Sequence, residues 1–455
     1  MHDADTISGI SSPIGEGGIG ILRMSGPHAR AILASIFRPR TRSSSFESHQ
    51  LALGVIIDPE TGADVDEVFA VFMGQPRTYT REDMAEIYSH GGLACQRKIL
   101  SLMVRQGARL AGPGEFTKRA FLNGRIDLAQ AESVLDIIQS ETDEELACAM
   151  AALKGAFSRR IDAIKDRVTT VLAEIEAMID FPEEELDLDP LATLAPLAGA
   201  RDELAELVAT YTEGRAVKSG VEVLIVGRAN VGKSSLLNAL LMEERAIVTP
   251  LPGTTRDLIE DTLHMRGIKV RIIDTAGLRQ PRDAVEHEGI ARARSRIPQA
   301  DVVLWVLDAS EPYSDEDEHI RELLQGKQVV VALNKTDLPQ RLDHGAIASR
   351  GIGHVPVSAL KGSGLETLKD ALYEMIAGKG FRSGCILVTN LRHRDALAAT
   401  HEAIARALAG AGRKEPLEFV AFEVREALSH LGEITGETCP EEILDLIFSR
   451  FCIGK

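Results

Sequence analysis

Three features of the sequence predict a multidomain chain, part α/β and part all-helical, in which a P-loop α/β domain is inserted into a helical body. The stretch GRANVGKS at 227–234 satisfies GxxxxGK[ST], follows the apolar run 221–226 and leads into LLNAL at 236–240. That order is strand, phosphate loop, helix. Upstream, Leu146, Met150, Leu153, Phe157, Ile161, Ile164, Val168, Val171, Ile175 and Met178 recur at steps of three and four, the mark of one long amphipathic helix. Downstream, 391–409 and 416–431 are again helical, and a last helix opens at TCPE, 438–441, which fits a capping box. Helical segments on both sides of a self-contained unit point to insertion, with two separate helical domains as the alternative.

In chain order, residues 1–120 read as mixed α/β, with strands near 20–24, 51–57 and 67–72 and helices at 28–37 and 93–106. Residues 15–20 literally satisfy GxGxxG, but a strand follows rather than a helix and no βαβ unit is evident. A tight turn or a ligand-facing loop is expected there. Helix begins near residue 126, FPEEE at 181–185 stops it, and a second helical stretch at 191–212 leads through Gly214 and Gly220 into the P-loop domain. The boundaries expected are 1–120, then a discontinuous helical domain of 121–215 and 379–455, with 216–378 inserted.

The P-loop context assigns roles. Its glycines let backbone N–H groups turn inward onto a β-phosphate, Lys233 adds positive charge at the β/γ oxygens, and Ser234 can ligate Mg²⁺. Asn230, Val231, Gly232, Lys233, Ser234 and Ser235 are therefore candidate nucleotide contacts. Asp274, Thr275, Ala276 and Gly277 follow an apolar strand and suit the Mg²⁺ and γ-phosphate side. NKTD at 334–337 follows another strand, and its aspartate can accept both N–H groups of guanine, which adenine does not offer. Asn334, Lys335 and Asp337, with Ser358, Ala359 and Leu360 closing over the base, thus select GTP. The domain reads as a Ras-like GTPase.

One catalytic part is replaced. Ras-type GTPases carry a water-orienting glutamine directly after the DxxG glycine, and here the residue is Leu278. Either water positioning and charge neutralisation come from 253–257, which includes Arg256, or from the charged stretch 279–288, or the protein is a slow switch. Asn230 either tolerates an unusual backbone angle or helps hold a monovalent cation beside the phosphates; spacing does not choose between them.

A net charge of -17 over 455 residues argues against a bare nucleic-acid coat protein, so any RNA contact must be local or shared with a partner. The five cysteines, Cys95, Cys148, Cys385, Cys439 and Cys452, show no CxxC and no His/Cys metal spacing. A reducing compartment without structural zinc is expected. With no apolar leader and no run of eighteen apolar residues, a cytoplasmic protein that stays off the membrane is expected. The terminal CIGK is not a prenylation signal, because Gly454 is not aliphatic and Lys455 is an unusual last residue.

The stretch GPGEFTKRAFLNGRIDLAQAE at 112–132, FPEEE at 181–185, GTTRD at 253–257 and the closing FCIGK at 451–455 resemble the tRNA modification GTPases of the MnmE (TrmE) family, end to end. The resemblance implies an N-terminal tetrahydrofolate-binding-like domain that dimerises, the split helical domain and the inserted GTPase. It further implies a cytoplasmic homodimer that joins a flavin (FAD) protein, often called MnmG or GidA, in a heterotetramer acting on tRNA. Their product would be a carboxymethylaminomethyl group on C5 of wobble uridine. Carried over, a 5-formyl- or methylene-tetrahydrofolate site falls on Arg23, Glu86, Arg125 and Lys455, the family often having lysine where this chain has Arg125. The C-terminus would then return to the N-terminal domain across the dimer interface, bringing Cys452 to the one-carbon unit. In the GTPase the resemblance places K⁺ at Asn230, Thr249, Leu251 and Thr254, Mg²⁺ at Ser234 and Thr255, nucleotide contacts at Thr249, Thr254 and Thr255, and water orientation at Glu286. Era- and Der-type GTPases share the potassium-loop features, so a potassium-dependent ribosome-assembly switch is the competing function. Residues 1–120 and the terminal FCIGK favour the modifying enzyme.

Overall fold

The structure, a computed structural model, describes residues 5–13, 15, 17–40, 47–181, 190–245, 261–274, 296–343, 353–377 and 386–454. The chain divides into two compact units. One holds Met1–Ile138, Met150–Asp202 and Ala396–Lys455; the other holds Gln139–Ala149 and Glu203–Asp395.

The first unit begins with β1 (Ile7–Ile10), β2 (Gly17–Ser25), α1 (Ala29–Ile36), β3 (Phe37–Pro39), β4 (Gln50–Ile57), β5 (Asp64–Met73), β6 (Met84–Gly91), α2 (Leu93–Arg105), β7 (Arg109–Leu110) and α3 (Glu115–Leu122). The seven strands form one sheet, β3-β4-β5-β6-β2-β1-β7, antiparallel except where β7 joins β1. Side chains alternate between faces. Leu22, Met24, Ala70 and Ile87 pack with Ile32, Leu33, Ile99 and Leu102 of α1 and α2, which leaves Arg23, Glu86, Phe69 and Leu53 on the opposite face. The glycines at 15–20 enter β2, which pairs antiparallel with β1 and β6, so no dinucleotide-binding βαβ unit forms there.

Helix follows as α4 (Leu128–Gln139), α5 (Asp143–Leu153), α6 (Ala156–Asp180), α7 (Pro190–Ala209) and α8 (Tyr211–Ser219). The stripe from Leu146 to Met178 is therefore two helices rather than one. Gly155 stands between them at φ 76°, a left-handed angle that an α-helix cannot contain and that glycine adopts freely. The 191–212 stretch likewise divides, Pro196 lying inside α7 and a new helix starting at Tyr211.

The second unit is built on β8 (Val221–Val226), α9 (Lys233–Arg245), β9 (Asp261–Met265), β10 (Ile268–Asp274), β11 (Val302–Asp308), α10 (Asp315–Leu323), β12 (Val329–Asn334), β13 (His354–Pro356) and α11 (Leu365–Ala377). Its six-stranded sheet runs β13-β12-β11-β8-β10-β9 and is parallel except for the edge strand β9. Both faces are covered: Val223, Ile225 and Leu304 pack on one side, and Leu224, Val303 and Trp305 on the other. Continuous apolar strands such as 302–307 are what a two-sided parallel sheet requires.

The chain closes with α12 (Leu391–Gly412), α13 (Leu417–Thr435) and α14 (Glu441–Ser449). α6 and α13 pack together, with Arg425 reaching Glu176 at 2.8 Å. The capping box read at TCPE does not form. Pro440 occupies the N-cap position without a side-chain cap, and the Thr438 hydroxyl donates to the Ser429 carbonyl at 2.7 Å instead.

Candidate functional site

β8 lies between β10 and β11, where the strand order of the sheet reverses, and loop 227–232 leaves its carboxyl end. Ligands of doubly wound sheets bind at that crevice. The loop is held closely by its surroundings. A Cβ on Gly227 (φ 149°) would stand 2.4 Å from the Val306 carbonyl oxygen, and one on Gly232 (φ 94°) would stand 2.3 Å from Nδ2 of Asn334. Neither position admits a side chain. Asn230, at φ 63°, occupies the left-handed region that asparagine tolerates, and its side chain is exposed. The Lys233 ammonium arches back over the loop, donating to the carbonyls of Gly227 (2.8 Å) and Arg228 (2.6 Å). Ser234 and Ser235 are exposed at the start of α9, whose N-terminal dipole favours an anion. A loop of inward-turning backbone with a lysine over it fits a polyphosphate.

The base side is assembled by Asn334, the last residue of β12. Its Nδ2 donates to the carbonyl of Val231 at 2.9 Å and its Oδ1 accepts from the amide of Ala359 at 3.0 Å, so one buried side chain ties the phosphate loop to 358–360. Lys335, at φ 64°, extends to the buried Asp308 at 2.6 Å. Burial works to raise the Asp308 pKa, but the Lys335 and Ser310 hydrogen bonds outweigh it and hold the group below the usual carboxylate range. Asp337 accepts from the Ser358 hydroxyl at 2.6 Å, the main reason its pKa is also lowered. An aspartate fixed in ionised form is what two guanine N–H donors require. Leu360, two residues after Ser358, stands 85% exposed, an apolar surface for a base to cover.

Thr249, Leu251, Thr254, Thr255, Arg256, Thr275, Ala276, Gly277, Leu278 and Glu286 lie outside the described residues. Asp274 ends β10 by its backbone, with two strands, β8 and β11, between it and β12.

The family model described as the MnmE helical domain matches residues 128–452, and that of the GTP-binding protein TrmE N-terminus matches 6–125. A curated relative from Geotalea uraniireducens, tRNA modification GTPase MnmE, is 46% identical over 100% of both chains. The chain belongs to the MnmE family of tRNA modification GTPases. It is a GTP hydrolase of that family, with a second relative of the same name in Geobacter sulfurreducens, 46% identical over 100% of each chain. Among solved structures, Era from Aquifex aeolicus bound to GDP and AlF4⁻ is 31% identical over 40% of this chain and 66% of that one, with a TM-score of 0.27.

A second cluster of this MnmE-family chain lies on the outward face of the seven-stranded sheet. Gly9, Arg23 and Glu86 are consecutive cross-strand partners on β1, β2 and β6, so their side positions form one row. Arg23 meets Glu86 at 3.2 Å and lies over the Phe116 ring at 5.7 Å, while its buried Nε has no hydrogen-bond partner among the described residues. Glu86 also accepts from the Tyr88 hydroxyl at 2.7 Å; burial first, then that carboxylate, pushes the phenol up to about 12. The C-terminal tail arrives beside this row. A Cβ on Gly9 would lie 3.3 Å from Gly454 Cα, and Ser11 donates to the Gly454 carbonyl at 2.9 Å. The return of the C-terminus was expected across a dimer interface; here the tail reaches β1 of its own chain, because α14 ends close to loop 112–114. Lys455 lies outside the described residues. Arg125 stacks on Tyr79 at 4.6 Å, and Tyr79 packs on the cluster that contains Phe116. Cys452 is exposed. Tyr88, Phe116 and Ser11 went unread in the sequence, since only strand register brings them to Arg23.

Proposed function

We propose that this MnmE-family GTPase works with a flavin-containing partner to form the 5-carboxymethylaminomethyl group on wobble uridine of certain tRNAs, with a reduced folate as one-carbon source. The observation that carries this reading is the arrival of the Gly454 tail at Gly9, in the cross-strand row that Gly9 forms with Arg23 and Glu86. A buried guanidinium nitrogen without a partner among the described residues and a carboxylate beside Tyr88 suit a flat heterocycle rich in hydrogen-bonding groups, and Arg125 and Lys455 suit its anionic tail. Cys452, exposed on the same tail, is the nucleophile candidate.

In the GTPase domain, residues 230–235 bind the phosphates, Asn334, Lys335 and Asp337 with 358–360 bind guanine, and Ser234 and Thr255 hold Mg²⁺. Asn230, Thr249, Leu251 and Thr254 hold K⁺, which supplies positive charge beside the phosphates when bound; Glu286 orients water where Leu278 cannot, and Arg256 adds to that charge. Residues 1–120 form the folate and dimerisation domain, with 121–215 and 379–455 the helical domain and 216–378 the GTPase. Exposed Leu51, Leu53 and Phe69 on the outward sheet face support a homodimer formed through the first of these. Mass analysis of tRNA nucleosides from cells lacking the protein tests the reading. Loss of the wobble modification is expected, and normal modification would overturn it. Folate calorimetry then tests the site: binding should weaken in Arg23→Ala and on deletion of Lys455, with GTP turnover retained.

A further inference from the structure

Loop 112–114, between β7 and α3, is the surface against which the C-terminal tail lies. Pro113 forms an isolated antiparallel bridge with Ile453, and the Gly114 amide donates to the Cys452 carbonyl at 3.4 Å. Gly114 sits at φ 64°, and a Cβ there would stand 2.8 Å from the Phe448 carbonyl oxygen and 3.0 Å from Phe451 Cβ. Loop and tail thus meet backbone to backbone. Phe451 anchors the start of the tail among Leu128, Ala131, Leu444 and Phe448, and Cys452 itself is exposed, with its carbonyl held by the loop.

What shapes the loop is Glu115. Its carboxylate accepts the Gly112 amide at 2.8 Å, and it is gripped by Arg109 through two nitrogens (2.8 and 2.5 Å) and by Arg119 at 3.2 Å. The arginines are tied in turn to Asp5 and Glu82. Burial works to raise the Glu115 pKa, and the Arg109 hydrogen bond and Gly112 amide more than reverse it. The network borders a cavity of about 480 Å³ in which Lys118 of α3 also meets Asp445 of α14 at 2.6 Å. A half-buried carboxylate with charge-assisted, bidentate partners has little freedom, and it passes that rigidity to the loop amide.

We propose that Glu115 is a positioning residue: through the Gly112 amide it sets loop 112–114, and the loop holds Cys452 and Ile453 in place. The placement rests on the hydrogen bonds above; its consequence for tRNA modification rests on the reading of Cys452 as a reacting thiol. Glu115→Ala removes the acceptor, whereas Glu115→Gln keeps an oxygen for the Gly112 amide and loses only the charge.

The test is hydrogen exchange of the full-length chain, followed by mass spectrometry in the peptides covering 112–116 and the C-terminus, with modification assayed alongside in the presence of the flavin partner. Glu115→Ala should speed exchange in both peptides by about tenfold, the size of one charge-assisted hydrogen bond. Glu115→Gln should recover most of the protection, and GTP turnover should be unchanged in both. Should the alanine variant fold poorly, Arg109→Gln spares the carboxylate while loosening its grip and should give an intermediate exchange rate. Unchanged tail exchange in the alanine variant, or equal loss in alanine and glutamine variants, overturns the proposal. Faster exchange together with full modification supports the clamp and refutes the role given to Cys452, so the two ideas fail separately.

Discussion

Replacing Asn334 by alanine removes one side chain and two hydrogen bonds, those to the Val231 carbonyl at 2.9 Å and from the Ala359 amide at 3.0 Å. Asn334 is 2% exposed and Val231 1%, so water does not readily take its place. Each neutral bond contributes about 1 kcal/mol net, and a buried group left without a partner costs about 1–3 kcal/mol. With Val231 deep and Ala359 half-buried, the total comes to about 3 kcal/mol. The loss falls on the link between the phosphate loop and the base loop, which nucleotide contacts both ends of. If most of it is expressed in binding, guanine-nucleotide affinity drops by roughly 100-fold, at a factor of ten per 1.4 kcal/mol. Fluorescence titration with a labelled GDP measures the affinity, and denaturant unfolding of the same sample reads how much is lost in the free protein instead. Affinity within threefold of the parent, with an unchanged unfolding midpoint, would show that the Asn334 bridge carries neither.

GTP turnover should be faster in potassium than in sodium, and Asn230→Ala should abolish the difference; a well-placed charge of this kind is worth about 3 kcal/mol, and equal rates in both salts would refute the cation reading. Glu286→Ala should lower kcat with GTP affinity nearly intact, since orienting water acts on the transition state; unaltered turnover would move the role to Arg256 or Asp257. Iodoacetamide at pH 8 should label Cys452 and spare Cys95, whose thiol burial and then Asp66 push up to about 12; peptide mapping decides, and labelling of Cys95 first would contradict the packing around it. Asp308→Asn should destabilise the GTPase domain at neutral pH. Because the folded pKa of Asp308 is lowered, its contribution is present above the unfolded value near 3.8 and is lost as pH falls through the folded one. The gap in urea midpoint between parent and variant should therefore narrow only below about pH 4, and a gap that closes at higher pH would contradict the Lys335 pairing.

Much of the GTPase was legible because its determinants are local. Strand, glycine-rich loop and helix lie within 221–245, and the same few residues set both the backbone path and the phosphate chemistry. NKTD at 334–337 was equally readable as to base preference. Its structural role was not: nothing in the spacing says that Asn334 reaches Val231, 103 positions earlier. The helices were legible in kind but not in number. An apolar stripe continues in phase across 153–156 whether or not the helix does, and only the backbone angle of Gly155 divides α5 from α6. TCPE misled for a related reason: a capping residue is defined by where the turn begins, and Pro440, not Thr438, begins it.

The sequence by itself determined the chemistry that contiguous residues can carry: a GTP-specific P-loop domain, strands and helices of the right kind around it, and the loss of the usual water-orienting residue at Leu278. Tertiary structure alone decided which distant residues meet. Strand register set Arg23 against Glu86 and Gly9, and the turn after α14 brought Gly454 to Ser11 within one chain. Glu115 became the keeper of the Cys452 loop only through two arginines and a glycine amide. The reason is physical: propensity and periodicity act over a few residues along the chain, whereas a hydrogen bond or ion pair depends only on distance in space, which the packing of sheets and helices fixes.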